Sequence, residues 1–251
     1  YLGLATGVRR RLANRWQQRF LARADLVSVA TDTVGEDFVA SGLDPARLHL
    51  TENGYWEAPE TIPAYTAQEK IRIVYIGAIS ATQGVDILAR AAQRLMRDRP
   101  SVGERLEIVI YGPDTPHRRA TLSGSLPACV TYGGYLPAQE VGVKLLSTDV
   151  AFLSLSSDRY AYAVPGKLYD YIAHGRPVLA SLPQGTAQRL IESQALGWTT
   201  GVGDVAALAQ QLDRVCDPAE RSRVHGQVMA VREQHAARNH FLNLSRRLQT
   251  L

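Results

Sequence analysis

The chain has 251 residues, 45% of them hydrophobic, 21% charged and 7% aromatic. That is enough apolar material for a substantial core, and it excludes a disordered or collagen-like chain. The net charge is +4, from 28 basic and 24 acidic residues; so small an excess, spread over this length, excludes a general polyanion binder, and no nucleic-acid partner is expected.

In chain order, residues 1–53 read as helix, strand, helix, strand: an Arg-rich amphipathic stretch to about Ala24, then Leu26–Ala30, Val34–Ser41 and Leu48–Thr51. Residues 54–70 hold Gly54, Pro59 and Pro63 with few periodic apolar positions, which is linker chemistry. Across 71–218 short β-rich runs alternate with helical ones. The strands are expected at Ile71–Ile76, Leu106–Tyr111, Val130–Tyr132, Val150–Leu155, Pro177–Ser181 and Trp198–Thr200. The helices are expected near Gln83–Met96, Ala138–Leu146, Lys167–His174, Thr186–Gln194 and Val205–Val215. Residues 219–251 read as helical throughout. Such alternation predicts an α/β fold, a Rossmann-like doubly wound parallel sheet with helices on both faces. The first region carries too few strands to bury a sheet of its own. It reads as the end of a domain that starts upstream, and the opening at Tyr1 instead of Met agrees with that.

No apolar run approaches the roughly 20 residues that cross a bilayer. Cys129 and Cys216 lack the short spacing of metal or redox pairs. A core role in a reducing cytosol is expected for both, and no signal peptide is visible.

In a doubly wound sheet, ligands sit at the carboxyl ends of the strands. The loop after the first strand of the long region is Gly77-Ala78-Ile79-Ser80-Ala81-Thr82-Gln83-Gly84. It is either an ordinary strand-to-helix turn or a ligand loop in which Gly77 and Gly84 admit a close approach and Ser80 and Gln83 offer hydrogen bonds. A second loop ends in Pro165-Gly166-Lys167, with Pro165 expected at the first helical position. Free amides there, the positive end of the helix dipole and the Lys167 charge suit a phosphate. Asp170, one turn on, can accept both hydroxyls of a ribose; a capped helix with an exposed Lys and Asp is the plainer alternative. Tyr135, in Gly133-Gly134-Tyr135-Leu136-Pro137, either lies flat against a base or is a surface tyrosine in a turn.

The run Val164-Pro165-Gly166-Lys167-Leu168-Tyr169-Asp170-Tyr171-Ile172-Ala173-His174-Gly175-Arg176-Pro177-Val178 resembles the donor-site motif of the retaining GT-B glycosyltransferases of group 1, family four. Collinear support comes from Ala24–Val29, Asn53-Gly54, Tyr75–Ala78 with Gly84–Asp86, Tyr111–Pro113 and Asp149–Phe152. The resemblance implies a two-lobed enzyme that moves a sugar from a nucleotide diphosphate donor to a saccharide or lipid-linked acceptor, with no metal and no cofactor beyond the donor. It implies that 1–53 closes the first lobe, 54–70 joins the lobes, 71–218 is the nucleotide-sugar-binding domain (the GT-B C-terminal lobe), and 219–251 crosses back. It further implies that Asp170 binds the ribose and that Gly166, Lys167 and Arg159 bind the diphosphate. Tyr135 then meets the base, while Gly77, Ser80, Gln83, Gly84 and Pro165 line the pocket. The chain departs from the pattern at Ala78 and Gln83, where the family commonly has cations, and at Tyr162, where it has the first acid of a Glu pair. Asp170 stands for the usual second Glu. These departures also fit a catalytically degenerate binding or scaffold module of the same fold. No catalytic base is identified.

Arg11, Arg15, Arg19 and Arg23 fall at i, i+4 spacing on one ridge of a helix, beside Leu12, Trp16 and Phe20. The ridge either meets anionic lipid or a lipid-diphosphate acceptor at the inner face of a membrane, or is a solvated face paired with acids elsewhere. His174 is expected to cap a helix end.

Overall fold

The computed structural model describes residues 7–124 and 126–251, and the chain forms two compact units. One runs to Gly54 and takes in Ala237–Leu251; the other is Tyr55–Ala236.

The first unit holds α1 (Val8–Arg23), β1 (Val27–Val29), α2 (Asp32–Ala40), β2 (Leu48–Leu50) and the last helix, Ala237–Leu248. β1 and β2 pair in parallel, Val27 opposite Leu48 and Val29 opposite Leu50. Thr31 starts α2 by accepting from the Val34 amide at 3.4 Å, the usual work of a threonine cap. Arg47 donates to the carbonyls of Ala24 (2.8 Å) and Ala22 (3.2 Å), satisfying acceptors at the carboxyl end of α1. Arg247 ties the last helix down through the Ala46 carbonyl at 2.9 Å.

The second unit is built on β3 (Ile71–Ile76), β4 (Leu106–Tyr111), β5 (Val130–Gly134), β6 (Val150–Ser154), β7 (Val178–Ser181) and β8 (Gly197–Thr200). All six are parallel, in the order β5-β4-β3-β6-β7-β8. Between and after them run α3 (Asp86–Asp98), a single turn α4 (Pro100–Gly103), α5 (Pro116–Thr121), α6 (Ala138–Leu146), α7 (Gly166–Ala173), α8 (Thr186–Ser193), α9 (Val205–Val215) and α10 (Pro218–Val231). Every residue of β6 and β7 is buried, as helices on both faces of a parallel sheet require. The order reverses between β3 and β6, so the crevice at their carboxyl ends is the topological switch point.

Three departures from the sequence expectations have physical causes. α3 begins at Asp86 instead of Gln83, because Ser80, Thr82 and Gln83 are engaged with one another in a polar turn. α5 was not expected; Thr115 accepts from the Arg118 amide at 3.1 Å, and Pro116 occupies the position where its missing N–H costs nothing. Residues 219–251 are not one continuous helical run. After α10 comes a 3₁₀ turn, Arg232–His235, and Ala236 is extended. Tyr55 pairs there, its amide donating to His235 O at 3.1 Å and its hydroxyl to Arg232 O at 3.2 Å. The helix resumes as α11 (Ala237–Leu248).

Residues 56–70 carry no helix or strand and are fastened by a buried network. Tyr65 donates to Asp149 at 3.0 Å and accepts from Arg221 at 3.0 Å; burial and the Asp149 charge push the phenol up to about 12. Arg221 is fully buried and also donates to Val215 O and Gln68 O.

Candidate functional site

The loops after β3, β4, β5 and β6 are tied together at the carboxyl edge of the sheet. Gly77 N donates to Tyr111 O at 3.1 Å, Gly112 N to Gly134 O at 2.9 Å, and Ser156 N to Thr82 O at 2.9 Å. The approach is close enough that a Cβ on Gly112 would stand 2.4 Å from Gly77 O. Gly84 lies against Ser156, whose hydroxyl donates to Ala81 O. Ser80 bonds to both Gln83 and Thr82, so these polar groups hold the loop's own shape.

α7 opens onto this edge. The proline was expected as the first helical residue; instead Pro165 is extended (φ −62°, ψ 134°) and Gly166 starts the helix. The reason is that Pro165 O already accepts from Leu168 N at 3.0 Å, which makes the proline the cap. No side chain caps this end, and a Cβ on Gly166 would meet nothing within 4 Å. The first amides of α7 and its dipole therefore face open space.

Lys167 reaches back across the crevice. Its Nζ donates to Tyr75 Oη at 2.9 Å and lies 4.1 Å from the centre of the Tyr75 ring. Gly77 makes room: its φ of +145° suits glycine, and a Cβ there would stand 2.6 Å from Nζ. Burial pushes the lysine down to about 8, with the Asp170 charge opposing it. Asp170 is exposed and its carboxylate makes no hydrogen bond among the described residues. Crowding by the protein raises its affinity for a proton above the ordinary, while His174 and Lys167 pull it down. His174 closes α7, its Nδ1 2.7 Å from Asp170 O.

Tyr135 is 70% exposed just beyond Gly134, and Arg159 is exposed on the 3₁₀ turn Asp158–Tyr160. No hydrogen bond or ion pair joins either to Lys167 or Asp170 among the described residues. The loop after β4 is braced from behind, where Tyr132 donates to Gly112 O at 2.8 Å. Arg118 lies 4.3 Å over the Tyr132 ring and holds Asp114 below the usual carboxylate range. The sequence names Tyr75 only within the family match, and gives neither it nor this brace a role at the site. A buried tyrosine just ahead of a loop glycine was the available signal, since its hydroxyl needs a partner.

A hollow of about 280 Å³ lies at the opposite, amino edge, lined by Tyr65, Arg72, Thr148, Asp149 and Arg176 among others. Its charged groups are engaged: Arg176 donates to His174 O and Thr148 O, and Asp149 accepts from Tyr65 and the Arg72 amide. The arrangement that can hold an anion is at the carboxyl edge.

Residues 70–217 match the family Glycosyl transferases group 1. The chain belongs to that family. Over 91 residues it is 33% identical to the probable glycosyltransferase WbjE of Pseudomonas aeruginosa, a stretch covering 36% of this chain and 23% of that protein. Among solved structures it superposes on Anabaena Alr3699/HepE in complex with UDP and glucose with a TM-score of 0.71 at 16% identity, covering 96% of this chain and 66% of that one. An α,α-trehalose-phosphate synthase (UDP-forming) from Burkholderia vietnamiensis gives 0.74 at 12% identity, with 97% and 65% covered. The lipopolysaccharide outer core galactosyltransferase WaaB in its apo form gives 0.65 at 16%, with 90% and 62% covered. The chain thus spans under two thirds of these structures, or close to it, and less than a quarter of WbjE. At these identities the structural likeness shows the fold, the doubly wound sheet of a GT-B glycosyltransferase.

Proposed function

We propose that this group 1 chain is the donor-binding part of a glycosyltransferase that moves a sugar from a nucleoside diphosphate sugar to a saccharide or lipid-linked acceptor in surface polysaccharide or glycolipid assembly. The observation that carries this reading is the uncapped amino end of α7, open at Gly166, with the Lys167 ammonium beside it and the Asp170 carboxylate one turn on. The names of the relatives support it: WbjE is called a probable glycosyltransferase, HepE is described with UDP and glucose, and WaaB is a lipopolysaccharide galactosyltransferase.

In this reading the amides of Gly166 and Lys167 and the Lys167 ammonium take the diphosphate, and Asp170 accepts the ribose hydroxyls. Tyr135 meets the base from the loop after β5. Gly77, Ser80, Gln83, Gly84 and Pro165 form the wall, and Arg159 reaches the phosphates. Donors fixed at the place where charge gathers on the leaving diphosphate stabilise the transition state. Transfer proceeds with retention and without a metal ion, as in the family it resembles. Residues 71–218 are the nucleotide-sugar-binding domain, 54–70 the connection between lobes, 1–53 the end of the first lobe, and 219–251 the helices that cross back toward it.

On the first unit, α1 presents Arg11, Arg15, Arg19 and Arg23, all exposed and in no ion pair among the described residues, beside exposed Leu12, Trp16 and Phe20. We assign this face to an anionic lipid surface that carries the acceptor. No helix among the described residues is long and apolar enough to cross a membrane.

A second reading, a degenerate binding module, is favoured by Ala78, Gln83 and Tyr162. Calorimetry with UDP-, GDP- and ADP-sugars followed by product analysis with an acceptor lipid extract separates the two. Donor binding by this chain is expected, and sugar transfer where both lobes are present, with the anomeric configuration kept and the rate unchanged by EDTA; the chain by itself can be inactive. Binding without turnover in the two-lobed protein favours the module, and silence across the panel overturns the donor site.

A further inference from the structure

Two cations that the family commonly carries in the loop after the first strand are Ala78 and Gln83 here, and the lysine that remains at this loop does not hang free. It is held by Tyr75, at the end of β3. The Tyr75 ring is wholly buried, and its hydroxyl donates its single proton to Ala78 O at 2.5 Å. That leaves the phenol oxygen as an acceptor, and Lys167 Nζ donates to it at 2.9 Å. The same ring offers its π face to the ammonium at 4.1 Å. On the far side, Gly77 leaves the space that the ammonium fills. Three features of one β-strand end (the buried ring, the oriented hydroxyl and the missing Cβ) thus fix a flexible side chain at one point in the crevice.

Building on the donor-site reading above, we propose that Tyr75 is a positioning residue whose phenol oxygen holds the Lys167 ammonium over Gly77, where the diphosphate of the donor binds. A long side chain that is already ordered loses less freedom when the anion arrives, so one placed ammonium makes up part of what two absent cations would supply.

The position has a consequence for pH. The groups that act on the ammonium are Tyr75 from β3 and Asp170 on α7, the latter itself acted on by His174. Tyr75 keeps its proton, because burial pushes the phenol far up. Lys167, held down to about 8 by burial, is charged at neutral pH and loses its charge just above it. Diphosphate affinity therefore falls as pH rises through 8, approaching tenfold per pH unit, in a range above the phosphate's own last ionisation near about 6.

The test needs no known donor. The chain has three lysines, Lys70, Lys144 and Lys167, so lysine labelled at Nζ and Cε gives three NMR titration curves, and the Lys167→Met variant assigns the third. The wild-type Lys167 curve is expected to centre near 8. Tyr75→Phe keeps the ring and removes the oxygen acceptor, and is expected to move that curve at least half a unit lower, with an unchanged circular dichroism spectrum. In parallel, calorimetry with UDP, GDP, ADP and their nucleosides is run from pH 7.0 to 9.5. Wild type is expected to lose diphosphate affinity above pH 8, Lys167→Met to be weak and flat, and Tyr75→Phe to be about tenfold weaker at pH 7.5 with nucleoside binding unchanged. A Lys167 curve that Tyr75→Phe leaves in place overturns the positioning role, whether or not any diphosphate binds. A shifted curve in a wild-type protein that binds none of the three diphosphates overturns the donor-site reading instead, and with it the phosphate role of the lysine.

Discussion

Asp170→Ala separates ligand binding from folding more cleanly than any other change in the site. The side chain is exposed and makes no hydrogen bond among the described residues, so its removal breaks nothing in the fold. Alanine inside α7 gains a few tenths of a kcal/mol of helix propensity over aspartate. Bound to a ribonucleotide, the carboxylate would accept from two hydroxyls, each charge-assisted bond being worth about 1.5–3 kcal/mol at most. Water competes at an exposed position, so the lower end applies to the pair, about 1.4–3 kcal/mol, or roughly 10- to 150-fold in Kd. Part of the loss is indirect, because Asp170 also helps Lys167 keep its proton. Calorimetry with ribo- and 2′-deoxyribonucleoside diphosphates resolves the two: wild type should prefer the ribo form, and Asp170→Ala should bind both alike and weakly. A variant that matches wild type in affinity, or keeps the full ribo preference, refutes the ribose role of Asp170.

Lys167 also leaves a mark on stability. It binds its proton less tightly folded (about 8) than unfolded (about 10.4), so unfolding takes up a proton between those values and stability rises with pH across that window. Cys216, pushed up to about 11 by burial, works in the opposite direction; the difference between the urea profiles of wild type and Lys167→Met isolates the lysine, and parallel profiles from pH 8 to 10 would contradict its burial. Arg221→Ala leaves Tyr65, Val215 and Gln68 without their donor and should cost about 3–5 kcal/mol in urea unfolding; a loss below about 1 kcal/mol would mean the network does not hold the 55–70 segment. On vesicles containing phosphatidylglycerol, the chain should sediment more than on phosphatidylcholine alone, and Arg15→Gln with Arg19→Gln should lower partitioning by about 1 kcal/mol each. Equal binding to both vesicle types would remove the lipid assignment of α1.

The sheet could be read before the structure because its strands are short, mostly apolar runs, two of which (β6 and β7) are buried on both faces. Ile71–Ile76 and Leu106–Tyr111 are near-continuous apolar runs, and both begin and end where the sequence places them. α6 and α9 likewise follow from apolar periodicity with polar breaks at each end. Short elements started by a proline, such as α4 and α5, carry too few residues for periodicity to register. The site divides in the same way. Gly166, Lys167 and Asp170 lie on one helix, so their spacing alone places them together. The contact from Lys167 to Tyr75 spans 92 positions, and no local pattern reports it. The mutual bonding of Ser80, Thr82 and Gln83 was hidden for another reason: polar loop residues have many partners open to them, and only the fold selects among them.

The most direct test of the donor site is a titration of the isotope-labelled chain with UDP, GDP and ADP, followed through the backbone amide resonances. Saturable shifts at Gly77, Gly166 and Lys167, with the hollow around Tyr65 and Arg176 undisturbed, are the expected result. Saturable shifts at that hollow with Gly166 and Lys167 unmoved would contradict the account.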